Sequence, residues 1–369
     1  MWVICLLTLL SVIRLNYGLP MYDIITTDDD DILKNNYIEY VEEKRQNEIM
    51  EMLYPDYKPL YKQPVSFIPK RNCNLTYKKN ILHPIKNDIV YPIVLLHGIT
   101  SDMNELLTVE KWIKNKLPNP VYNLEIGNGK TTSVYKSMEW QLDELCDTIY
   151  SMEQLAGGFH FIGMSQGGLL ARGYVERCNK YPVINLITWV TPHAGVFGLG
   201  NIEINFKLIY TPLYQASLSF AGYWKDPFRY GLYLNNSSYL ADLNNEHKHF
   251  NLLTKQRNNM LKLQNFVMIW SPNDDVIRPP ESGKFGFYKI QTKDMSFRNI
   301  MMLSVNDMDD MLLPIVDLKD SIQYKEDWLG LKTLDESRRL HILETNCTHS
   351  GHKTESCFPQ LEILTFPFL

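Results

Sequence analysis

Residues 161–168 read F-I-G-M-S-Q-G-G, and Gly163, Ser165 and Gly167 stand at the G-x-S-x-G spacing of a nucleophile elbow. That spacing suits a serine thrown into a strained strand-to-helix turn, with flanking glycines that keep Cβ atoms away from neighbouring backbone. The pattern alone recurs by accident in chains of this length, so its surroundings carry the reading. The apolar run F-H-F-I directly precedes it, and L-L-A-R-G-Y-V-E-R-C continues after it at helical spacing.

A serine hydroxyl is a poor nucleophile at neutral pH. It needs a histidine to take its proton and a carboxylate to fix that histidine's tautomer. On a strand–elbow–helix frame the chain order is serine, acid, histidine. After Ser165 come His193, His247, His249, His341, His349 and His352. His341 falls inside a strand-like run, whereas His349 and His352 fall in the turn-rich T-N-C-T-H-S-G-H, where a loop can carry an imidazole over a sheet edge. The acid is expected in W-S-P-N-D-D-V-I-R-P, as Asp274 or Asp275. Spacing alone leaves both pairs of neighbours open. In L-L-H-G-I-T a His-Gly ends an earlier strand, so the backbone N–H groups of Ile99 and Gln166 are expected to form an oxyanion hole, where each donor is worth about 3 kcal/mol. His97 itself is read as structural, its ring satisfying nearby backbone.

Such side chains, far apart in sequence, need a rigid frame. From Tyr91 onward, apolar runs of strand length alternate with helical stretches: 93–96, 121–126, 159–162, 183–190, 266–270 and 340–343 as strands, with helices around 105–117, 137–155 and 166–178. The expected class is α/β, a mainly parallel sheet flanked by helices as in the α/β-hydrolase fold. An insertion over about 195–264, rich in Phe, Tyr and Leu, is expected to cap the carboxyl edge of the sheet, and its 206–224 stretch is the candidate wall of a groove for an apolar chain. The catalytic domain is thus assigned to 91–369, behind an N-terminal extension at 19–90 whose acidic run Asp28–Asp31 reads as a solvated segment.

The chain's 37 basic and 42 acidic residues give a net charge of -5, which leaves no electrostatic footprint for nucleic acid. Residues 1–18 hold an apolar run of about a dozen, too short to span a bilayer and suited to a signal peptide. No later segment reads as a membrane span. If Cys5 leaves with that signal, Cys73, Cys146, Cys178, Cys347 and Cys357 remain, enough for two bridges and one spare thiol. Sequons at Asn74, Asn235, Asn236 and Asn346 suit the same oxidising, glycosylating route, to the lysosome or the exterior. Neither zinc-ligand spacing nor a phosphate loop is present, because Leu124 occupies the place of the first glycine such a loop needs before Gly129, Lys130 and Thr131. No metal or organic cofactor is therefore expected.

Taken together, H-G-I, E-I-G, G-M-S-Q-G-G, H-A-G-V-F-G-L, Y-W-K-D-P, Y-L-N-N-S-S-Y-L-A-D-L-N, P-N-D-D-V-I-R-P, F-G-F-Y and L-G-L-K-T-L resemble the palmitoyl-protein thioesterases in the right order from about Tyr91 to near the C-terminus. The Cys146 and Cys178 pair and H-A-G-V-F-G-L look like one lysosomal branch of that family; P-N-D-D-V-I and the loop between Cys347 and Cys357 look like the other. The resemblance implies Ser165 as nucleophile, Asp274 as acid and His349 as base, although the His349-to-His352 spacing departs slightly from the family loop. It implies bridges Cys146–Cys178 and Cys347–Cys357, and leaves Cys73 unassigned. The implied activity is hydrolysis of long-chain acyl thioesters, on S-acylated protein or acyl-coenzyme A. The elbow alone is equally compatible with a carboxylic-ester lipase or transacylase, or with an acyl-lipid-binding glycoprotein that has lost turnover.

Overall fold

The computed structural model describes residues 90–199, 208–246, 253–291 and 313–369. The expected signal, nearly all of the 19–90 extension, Cys73 and Asn74 lie outside them. Six parallel strands form the central sheet: β1 (Ile93–Leu96), β2 (Val121–Leu124), β3 (Phe159–Met164), β4 (Val183–Trp189), β5 (Asn265–Trp270) and, after a two-stranded antiparallel ribbon of β6 (Phe287–Tyr288) and β7 (Ile315–Val316), β8 (Leu340–Glu344). Their order is β2-β1-β3-β4-β5-β8. With helices on both faces, this is the expected α/β-hydrolase architecture.

Burial explains why these runs are strands. β1 and β3 are buried at every position, as a central parallel strand covered on both faces must be, whereas the edge strands β2 and β8 are only partly buried. Alternate residues feed opposite cores. Val94, Leu96, Phe159, Phe161 and Leu186 enter one; Ile93, Leu95, Ile162, Ile187 and Val267 enter the other. Each such side chain contributes roughly 1.5–3 kcal/mol on burial.

The helices follow the same logic. α1 (Leu107–Lys116) and α4 (Phe358–Thr365) cover the second core through Val109, Ile113, Phe358 and Leu361. α2 (Met138–Ser151) starts where the Ser137 side chain accepts from the Trp140 N–H at 3.3 Å, and buries Met138, Leu142, Leu145, Cys146 and Ile149 along one stripe against the first core. α3 (Gln166–Gly173) is buried throughout and runs on as a π-helical turn, Tyr174–Cys178. A disulfide joins Cys178 to Cys146 on α2, and a second joins Cys347 to Cys357.

The described part of the 195–264 insertion folds into short helices at Pro212–Ser217, Tyr230–Asn236, Leu240–Leu243 and Leu253–Met260. Tyr239 Oη donates to the Leu169 carbonyl at 3.0 Å, so the insertion sits on the helix that follows the elbow. Among the described residues no helix is long and apolar enough to cross a membrane. Asn235, Asn236 and Asn346 are exposed.

Candidate active site

Ser165 stands between the end of β3 and the start of α3 with φ 54° and ψ -127°. A non-glycine residue held there stores on the order of 1–3 kcal/mol of backbone strain. The surrounding backbone is packed too closely for side chains: a Cβ on Gly167 would lie 2.3 Å from the His97 carbonyl oxygen, and one on Gly163 would lie 2.6 Å from Gly168 Cα. The turn is tied to β4 by the Ser165 N–H, which donates to the Trp189 carbonyl at 2.8 Å.

The carboxyl ends of β5 and β8 supply the other two groups. After β5 the chain turns through Ser271–Asp275, and Asp274 Oδ1 accepts the N–H groups of Val276 and Ile277, both at 2.9 Å. Its Oδ2 lies 2.8 Å from His349 Nδ1, and both residues are buried. Asp275 plays a different part, accepting the backbone N–H of His349 at 3.1 Å. His352 is fully buried, its ring nitrogens bonded to the Thr348 carbonyl at 2.9 Å and Thr345 Oγ1 at 2.8 Å, and burial lowers its pKa. It braces the loop that carries His349, which the Cys347–Cys357 bridge also closes.

Ser165 and His349 line one cavity of about 220 Å³ with Gly98, Ile99, Met164 and Val276. Gly98 lies so close that a Cβ there would sit 2.9 Å from Ser165 Cβ, and Ile99, next in the chain, lines the cavity with Ser165. Gln166 opens α3, where the first helical N–H groups have no intrahelical acceptor and carry the positive end of the dipole. Its side chain points away into a satisfied buried network: Nε2 donates to the Ser133 carbonyl at 2.9 Å and to Gln141 Oε1 at 3.2 Å, and Oε1 accepts from Tyr223 Oη at 3.0 Å. His97 is buried, its Nδ1 2.9 Å from the Gly98 carbonyl oxygen, and desolvation lowers its pKa. One ring nitrogen thus meets backbone, while Nε2 finds no hydrogen-bond partner among the described residues.

Among the described residues, none from 208–224 lines this cavity. Ile209, Tyr210, Ala221, Tyr223 and Trp224 are instead buried in the first core, where Tyr223 reaches Gln166. Aromatic content without a clear period does not distinguish a groove wall from a packed interior. Sequence reasoning also missed the rim of the cavity, formed by Glu105, Ser350 and Lys353. The available signal was that Lys353 lies four residues after His349 inside the same disulfide loop. A second cavity of about 300 Å³, bordered by Phe285, Phe287 and Leu331 and by the Lys225–Glu246 ion pair at 2.8 Å, shares no lining residue with the first.

Among the described residues no group of three or more His, Cys, Asp or Glu is arranged to hold a metal. A strained serine and an imidazole whose Nδ1 is held by a carboxylate, both on one cavity, are the groups that acyl transfer uses.

A profile of the palmitoyl protein thioesterase family matches residues 92–349, from the start of the sheet to His349. Palmitoyl-protein thioesterase 3 of Dictyostelium discoideum is 38% identical over 286 residues, covering 75% of this chain and 92% of that one. Palmitoyl-protein thioesterase 1 of Caenorhabditis elegans is 31% identical over 277 residues, covering 70% and 86% respectively. Lysosomal thioesterase PPT2-B of Xenopus laevis is 31% identical over 265 residues, covering 68% and 83%. With the match spanning every element that brings Ser165, Asp274 and His349 together, the chain belongs to the palmitoyl-protein thioesterase family.

Proposed function

We propose that this protein hydrolyses long-chain acyl thioesters, of S-acylated protein or acyl-coenzyme A, through an acyl-enzyme on Ser165. His349 Nε2 takes the hydroxyl proton as Ser165 Oγ bonds to the thioester carbonyl carbon. Asp274 accepts from His349 Nδ1–H, which keeps Nε2 free as the base and stabilises the imidazolium. Negative charge on the carbonyl oxygen is received by the N–H groups of Ile99 and Gln166. The C–S bond then breaks, and the thiol leaves with the proton from His349. A water deprotonated by His349 attacks the Ser165 ester, Oγ regains a proton, and the fatty acid is released.

The observation that carries this reading is the buried 2.8 Å pair of Asp274 and His349 on the cavity that holds Ser165. The acyl-thioester class is supported by family membership and by the names of the relatives. Passage through the secretory route to a lysosomal or extracellular destination is supported by the two disulfides and the exposed sequons. The test is turnover of a palmitoyl thioester beside its matching oxygen ester, in wild type and Ser165→Ala. Preference for the thioester with loss in the variant supports the reading. Preference for the oxygen ester would replace it with a lipase.

A further inference from the structure

Two loops meet at the rim of the Ser165 cavity. Lys353, on the disulfide loop that carries His349, bonds through Nζ to Glu105 Oε2, on the turn that follows the Gly98–Ser101 loop. Lys130 reaches the other oxygen, Glu105 Oε1, at 3.2 Å and lies 3.9 Å from Asp102. Glu105 thus has two ammonium partners, and one can leave without stranding the carboxylate. The Lys353 and Glu105 side chains are 25% and 29% exposed, so the pair is accessible and cheap to exchange. The Lys353 hydrogen bond, with Lys130 helping, lowers the Glu105 pKa against the opposing effect of burial, so the pair persists in mildly acidic medium.

The direction in which the thiol departs gives this rim its meaning. In the proposed mechanism His349 hands its proton to the departing sulfur, which puts the thiol side of the substrate on the His349 side of the cavity, where the lining continues into Ser350 and Lys353. We propose that Lys353 is a specificity-determining residue that receives a carboxylate close to the acylated cysteine of a peptide, with Glu105 as its resting partner. This deepens the thioesterase reading and rests on it. Reach selects the carboxylate over a nucleotide phosphate. A cavity of about 220 Å³ is roughly 7 Å across, so Lys353 meets groups within a few bonds of the sulfur. An acidic residue beside the cysteine, with adjacent Cα atoms about 3.8 Å apart, falls in that range, whereas the diphosphate of coenzyme A trails its sulfur by on the order of 15 Å. A carboxylate–ammonium contact at a half-screened rim is a charge-assisted hydrogen bond, comparable with the one it displaces.

The test compares kcat/KM for an S-palmitoyl peptide with Asp and Glu flanking the cysteine, the same peptide with Asn and Gln, and palmitoyl-coenzyme A. The readout is the acidic-to-neutral ratio, which cancels differences in folded fraction. Lys353→Met keeps the aliphatic stem and is expected to lower the ratio about fivefold. Glu105→Gln removes the competing carboxylate and is expected to raise it, and added salt should lower the wild-type ratio. A ratio unmoved by Lys353→Met overturns the inference, as does a change seen only with palmitoyl-coenzyme A, which would point to phosphate. A wild type that turns over the neutral peptide with an unmoved ratio defeats this inference alone; one that turns over none of the three defeats the thioesterase reading as well.

Discussion

Replacing Asp274 by asparagine separates the chemistry of the site from its architecture. Asp274 uses one oxygen to accept two backbone N–H groups at 2.9 Å and the other to hold His349 Nδ1 at 2.8 Å. An asparagine can keep both backbone bonds through its single carbonyl oxygen, so the turn after β5 survives. Its NH2 then faces Nδ1 and can only donate to it. The imidazole is driven to the tautomer protonated on Nε2, which cannot take the Ser165 proton. The expected loss is about 10⁴-fold in kcat, or about 5 kcal/mol of transition-state stabilisation, with little change in melting temperature. Asp275→Asn is the control, because an amide oxygen can still accept the His349 N–H now bonded at 3.1 Å. Its kcat should fall less than tenfold. Steady-state turnover of a palmitoyl thioester, with melting curves on the same samples, checks both. Near-wild-type activity in Asp274→Asn, or equal losses in the two variants, would refute the assignment of the acid.

Other consequences follow from the same contacts. Glu176 is fully buried with Arg172 at 3.5 Å as its ion partner, and burial, against the opposing pull of Arg172 and Arg177, pushes its carboxyl from 4.5 up to about 7. Across that window the folded chain holds a proton that the unfolded chain has lost, so stability falls as pH rises; at 1.36 kcal/mol per pH unit the effect is at most about 3 kcal/mol. Urea unfolding at pH 5 and pH 8 should show this loss in wild type and a smaller one in Glu176→Gln; equal losses would contradict it. Replacing Cys347 and Cys357 by serine opens a loop of sequence separation 10 and should cost about 2–3 kcal/mol, with kcat falling further than the folded fraction because His349 rides on that loop. Tyr223→Phe leaves Gln166 Oε1 without its 3.0 Å donor, a defect of about 1–3 kcal/mol. If that side chain positions the oxyanion donor, affinity for a trifluoromethyl ketone analogue should drop more than KM rises.

What could be read before the structure was what local physics dictates. The six sheet strands are apolar runs whose burial on both faces suppresses alternation at the centre, and the elbow glycines answer to backbone contacts shorter than any Cβ allows. The choice between Asp274 and Asp275, or His349 and His352, had no local signature. The path of each turn decides which neighbour points inward, and only the resemblance distinguished them. The helix at Lys130–Tyr135 and the two-residue strands β6 and β7 are too short to show a period. Charges such as Glu105 and Lys353, 248 positions apart, meet through the fold alone.

The central claim is that Ser165 carries the acyl group between attack and release. Brief exposure to a palmitoyl thioester, acid quenching and mass-spectrometric mapping test it directly. A palmitoyl ester is expected on the peptide containing Ser165 in wild type and is expected to be absent in both Ser165→Ala and His349→Ala. An adduct on another residue, or undiminished turnover in His349→Ala, would contradict it.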